Sequence, residues 1–124
     1  MYLLIDLSEN DTIHLALFDK EGLVEFECGG RNRELLECID KFLTENEIKS
    51  HDLKGVMTVV GEGSFTNTRI SAVVSNVFGY CLKKPMMAIK KNQIGEVQEL
   101  IDELESVPVG QYVSAKYSAE PNIG

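Results

Sequence analysis

The sequence has no tryptophan, only two histidines and only three cysteines. Cys28, Cys38 and Cys81 make neither an even set nor a C-x-x-C pair, and two histidines leave a zinc site short of ligands. All three cysteines read as reduced, packed thiols. No apolar run approaches the roughly 20 residues that span a bilayer. Met1-Tyr2-Leu3-Leu4-Ile5 runs straight into Asp6 without the basic flank, apolar core and cleavage site of a secretory signal. The expectation is a soluble, cytoplasmic chain with no membrane role. Positive charge is also scarce, with 12 basic against 20 acidic residues and a net charge of −8, a field that repels phosphate backbones. Lys83-Lys84 and Lys90-Lys91 are two doublets and fall short of a binding stripe. At 124 residues the chain supports one ordinary core, so one domain over 1–124 is expected.

Tyr2 to Leu7 and Ile13 to Phe18 are short apolar runs closed by Ser8-Glu9-Asn10-Asp11 and Asp19-Lys20-Glu21-Gly22, which predicts two antiparallel strands. Leu23-Val24-Glu25-Phe26-Glu27 alternates apolar with acidic, the pattern of a strand with one wet face at a sheet edge. From Glu34 the period changes. Leu35, Leu36, Ile39, Phe42 and Leu43 recur at helical spacing, while Glu34, Glu37, Lys41 and Glu45 point away. Val56-Met57-Thr58-Val59-Val60 is too short for a helix and reads as a strand buried on both faces in parallel pairing. A second helix is predicted over 66–82, a strand over 85–89, a third helix over 94–104 with Ile94, Val97, Ile101 and Leu104 on one side, and a last strand over 111–117. The sum is an α/β chain in βββαβαβα order, a mixed five-stranded sheet with helical cover, and an extended C-terminal tail over 105–124.

The second predicted helix lacks a wet face. No residue from Ile70 to Leu82 is charged, and Ile70, Val73, Val74, Val77, Phe78 and Cys81 already make a full core-facing stripe. Opposite them Ser71, Ser75 and Gly79 fall at i, i+4 and i+8, with Ala72 and Asn76 beside them. Small residues in register let another backbone approach, and a mid-helix glycine costs about 1 kcal/mol relative to alanine unless packing offsets it. Either the helix is sandwiched within its own domain or a partner protein covers it. One sheet and three helices leave little for a second face, which favours the partner. The outward face of the first helix, with Cys38 and Lys41 near its middle, would flank that docking surface.

Between the buried strand and this helix lies Gly61-Glu62-Gly63-Ser64-Phe65-Thr66, where the glycines permit a tight turn and Ser64 or Thr66 can cap exposed amides. Gly61 through Ile70, with Arg69, resembles the G-P-G-S-F-T-G-x-R-x signature of the TsaB (YeaZ-like) family of tRNA threonylcarbamoyladenosine biosynthesis proteins. The resemblance extends to Leu4-Ile5-Asp6-Leu7-Ser8, to Leu35-Leu36 with Ile39-Asp40, and to Lys84-Pro85-Met86, so it covers roughly residues 1 to 90. It implies one lobe of the actin-like ATPase fold, related to ribonuclease H. It also implies a non-catalytic scaffold that meets a TsaD-type catalytic subunit through its first two helices, with the ATPase TsaE joining them, and that touches tRNA only indirectly. Glu62 and Asn67 stand where the family has proline and glycine. Most of a second lobe is absent, and Tyr117 to Ile123 resembles the tail of some members, as an internal deletion would leave it.

Three other readings share the fold. A ribonuclease-H-like nuclease would hold divalent metals on Asp6 and Glu62, a nucleotide-binding ATPase needs a second lobe and phosphate loop, and a homodimer would use the same helices. None of them is favoured by the residue pattern, so no catalytic, cofactor or metal residue is assigned. His14 and His51 are read as a strand-face and a loop residue without a role.

Overall fold

The computed structural model describes residues 1–9, 12–29, 34–59 and 83–108. Three strands open the chain, β1 (Tyr2–Asp6), β2 (Thr12–Phe18) and β3 (Leu23–Gly29), followed by helix α1 (Leu35–Glu45). A 3-10 turn at Ser50–Asp52 leads to β4 (Gly55–Val59), and after β5 (Met86–Ile89) come a 3-10 helix (Lys91–Glu96) and a short helix α2 (Ile101–Glu105). The helix predicted over 66–82 and the strand predicted over 111–117 lie outside the described residues.

The five strands form one mixed sheet in the order β3-β2-β1-β4-β5. β1 pairs antiparallel with β2, from Tyr2↔Phe18 to Asp6↔His14, and parallel with β4, from Tyr2↔Gly55 to Ile5↔Thr58. β4 and β5 are parallel, as expected of a strand buried on both faces. β3 takes the sheet edge that its acidic alternation predicted. The β2–β3 hairpin is closed by Asp19, whose carboxylate accepts the Glu21 and Gly22 amides, each at 2.8 Å.

Strand periodicity divides the core in two. Leu3, Ile5 and Leu7, with Ile13, Leu15 and Leu17, face α1, which presents Leu35, Cys38, Ile39, Phe42 and Leu43. Tyr2 and Leu4, with Ala16 and Phe18, face the other way, against Val97, Ile101 and Leu104. Gly55 is the point of closest approach on that second face, since a Cβ there would lie 2.7 Å from Leu104 Cδ2.

Three expectations are corrected. Leu36, read as part of the core stripe, is 58% exposed, and Cys38, read as outward-facing, is 7% exposed inside the α1 core. Residues 35, 38, 39, 42 and 43 form the narrower stripe, and Leu36 lies off it. The continuous helix predicted over 94–104 is instead a 3-10 helix, a stretch of turns and the five-residue helix α2. Gly95 lowers helix propensity in mid-segment, and the Gln98 side chain is drawn to the carbonyls of Asp19 (2.8 Å) and Gly22 (3.3 Å). Glu105 is the last residue of α2.

Candidate functional site

A cleft of about 190 Å³ opens at the carboxyl end of β1, lined by Asp6, Glu9, Thr12, His14, Glu27, Lys91 and Ile94. The carboxyl ends of parallel strands are where α/β sheets commonly bind ligands. Antiparallel register builds the floor, because Asp6 sits opposite His14 and His14 opposite Glu27 on one face. Asp6 is 4% exposed, and its Oδ1 accepts the Ser8 amide at 2.9 Å, the turn that ends the strand. Its Oδ2 lies 3.6 Å from His14 Nδ1 and 3.9 Å from Lys91 Nζ. The far side of the imidazole meets Glu25, with Nε2 and Oε1 3.3 Å apart. Lys91 donates to Ser8 Oγ at 2.6 Å and approaches Glu9 Oε1 at 3.6 Å.

These groups largely satisfy one another. Lys91 ties the 3-10 helix to the turn after β1, and two carboxylates orient the imidazole. The nearby hydroxyl of Ser8 is engaged with Lys91. The donor set is poor for a divalent metal, because an ammonium group stands beside Asp6, and no three ligating side chains cluster among the described residues. Glu62, the second carboxylate of the nuclease reading, lies outside the described residues. Sequence reasoning gave His14 no role and read Lys91 only as half of a basic doublet. Hairpin register was the available signal for His14, since pairing Tyr2 with Phe18 puts Asp6 opposite it.

The second candidate surface is the outward face of α1. Leu36, Glu37, Asp40, Lys41, Thr44 and Glu45 are exposed there. Lys41 is therefore on the predicted face and Cys38 is not. Cys38 Sγ instead lies 3.3 Å from Cys28 Sγ, and burial, followed by the Cys28 contact, pushes its thiol up to about 11. The other interface residues, Ser71, Ala72, Ser75, Asn76 and Gly79, and the loop residues Gly61, Gly63, Ser64, Phe65, Thr66 and Arg69, lie outside the described residues. Among the described residues no helix is long and apolar enough to cross a membrane.

No family model matches the chain, and no curated protein matches it. Solved structures do. YeaZ from Pseudomonas aeruginosa is similar at a TM-score of 0.68 and 19% identity, covering 82% of this chain and 49% of that one. A second structure, of an uncharacterized protein with similarity to peptidase YEAZ from Pseudomonas aeruginosa, gives a TM-score of 0.68 and 19% identity, covering 82% and 48%. The chain spans about half the length of each. Likeness at this identity is a statement about fold: the chain is an α/β unit with a mixed five-stranded sheet, and its fold is similar to that of YeaZ.

Proposed function

We propose that this chain is a non-catalytic scaffold subunit of the tRNA threonylcarbamoyladenosine machinery, acting in the cytoplasm by docking a TsaD-type catalytic subunit. The carrying observation is the Gly61-to-Ile70 signature, found in a chain whose fold is that of YeaZ. The docking surface combines the outward face of α1, where Leu36 and Lys41 are exposed, with the small-residue face of Ser71, Ala72, Ser75, Asn76 and Gly79. The exposed Leu36 is apolar area that association would remove from water. The ATPase TsaE joins the two, and tRNA is met only indirectly. The Asp6 cleft serves as a latch between the β1–β2 turn and the 3-10 helix, with no turnover of its own.

The test is to mix the purified chain with the TsaD-type protein of the same genome on a sizing column. Co-elution is expected, and Ser75→Arg abolishes it by forcing a guanidinium into a close helix contact. Leu36→Asp, on an exposed position, weakens co-elution at least tenfold without changing the melting temperature. A wild-type chain that elutes alone, or only as its own dimer, overturns the proposal in favour of an unrelated role.

A further inference from the structure

We propose that Cys28 and Cys38 form a dithiol site that peroxides oxidise to an intramolecular disulfide, stapling the edge strand β3 to α1. Both are free thiols, and their sulfurs are 3.3 Å apart with the Cys38 thiol donating to Cys28 Sγ. The Cys28 thiol in turn donates to the Gly29 carbonyl at 3.5 Å. A disulfide needs about 2.05 Å between the sulfurs, so closure takes roughly 1.3 Å of approach, within the range of side-chain rotation. The scaffold holds the two elements at this spacing by a second contact. Phe26, two residues before Cys28, stacks on Phe42, four residues after Cys38, with ring centroids 5.2 Å apart and planes 19° apart. The aromatic pair and the thiol pair therefore form two rungs between β3 and α1.

The two thiols differ in access, and access assigns their roles. Cys28 is half-buried on the edge strand, whereas Cys38 is buried against Leu35, Ile39 and Phe42. Peroxide reaches Cys28. Its sulfur attacks one peroxide oxygen, the O–O bond breaks, and water leaves with the thiol proton, giving a sulfenic acid at Cys28. Cys38 sulfur then attacks the sulfenic sulfur, the S–O bond breaks, and the departing hydroxide takes the Cys38 proton as a second water. Two thiols have lost two electrons and two protons, and one peroxide has become two waters. Burial keeps Cys38 protonated in the reduced state, its thiol pushed up to about 11, so the first attack on peroxide falls to Cys28.

The third cysteine, Cys81, sets the control. The reduced full chain carrying Cys81→Ser is titrated with hydrogen peroxide, followed by intact mass and by maleimide counting of thiols in denaturant. The expected result is loss of both thiols together, a mass decrease of about 2 Da, reversal by dithiothreitol, and a melting temperature several degrees above the reduced form. Cys38→Ser in the same background should stop at a sulfenic acid on Cys28, trapped by dimedone with no mass decrease. Proteolytic mapping of the oxidised wild-type chain supplies the same answer should Cys81→Ser fail to fold, with a peptide joining Cys28 to Cys38 expected. The proposal is overturned by two thiols that persist when free glutathione is fully oxidised, by stepwise oxygen addition to Cys28 in the presence of Cys38, or by a Cys81 crosslink in the map.

Discussion

The two faces of the sheet are covered by different means. One is sealed by a continuous helix, α1, which places five buried side chains on one stripe over Leu3, Ile5, Leu15 and Leu17. Among the described residues, the other is covered by a 3-10 helix, turns and a five-residue helix that contribute Val97, Ile101 and Leu104 at full burial. Polar ties make up the difference there. Tyr2 donates its hydroxyl to Glu105, Lys20 meets Asp102 at 2.6 Å, Gln98 reaches the β2–β3 hairpin, and Lys91 holds Ser8. A helix brings its own backbone hydrogen bonds to the sheet and needs only an apolar stripe. Short irregular segments leave polar groups to be tied down across long sequence separations.

The widest test of this contrast is a pair of truncations. Phe42→Ala, inside the rigid α1 face, is expected to cost about 3–5 kcal/mol, and Ile101→Ala about 2–3 kcal/mol, because short turns collapse into a cavity more readily than a three-turn helix. Urea unfolding at unchanged slope measures both. An Ile101 cost equal to or above that of Phe42 would break the comparison.

A smaller effect probes the polar ties. Burial, aided by the Glu105 hydrogen bond and then by its charge and that of Asp102, pushes the Tyr2 hydroxyl up to about 12 from its ordinary value near 10. The folded state therefore holds this proton more tightly than the unfolded state. The stability this contributes is complete below about pH 10 and is lost as pH rises through about 12. Tyr2→Phe should cost about 1 kcal/mol at neutral pH and should flatten the alkaline fall relative to the parent chain. Parallel pH curves for the two proteins would show that the tie contributes nothing.

The smallest expected change is a gain. α1 ends in a paired cap, in which Ile48 N–H bonds Leu43 O at 2.9 Å and Glu47 N–H bonds Thr44 O at 3.0 Å, with Glu47 at φ 57°. A side chain in this left-handed conformation is strained, so Glu47→Gly should stabilise the fold by about 0.5–1 kcal/mol in the same urea assay. A loss instead would mean that the Glu47 side chain matters more to this end of α1 than its backbone strain does.

Element identity was legible wherever the local pattern was uninterrupted. The short apolar runs of β1 and β2 and the helical spacing of α1 needed no tertiary information, and the acidic alternation of β3 announced an edge. Spacing failed where two positions competed for one stripe. Leu36 and Cys38 lie on opposite edges of the core side of α1, and the core took Cys38 while Leu36 stays exposed. It failed again over 91–105, where Gly95 and a long-range tie from Gln98 outweighed a respectable apolar period. Of the candidate site, Lys41 lies on the face the pattern assigned to it, while His14 and Lys91 come to Asp6 through register and a contact far along the chain.

The sequence by itself determined the strand and helix periods, the buried parallel strand, the wet edge and the loop signature, because each is written in residues close together along the chain. Only the tertiary structure decided which cysteine faces inward, that its sulfur meets Cys28, and that Lys91 closes over Asp6. Those outcomes depend on distances between elements, which follow from how a particular helix seats on a particular twisted sheet and not from any local pattern.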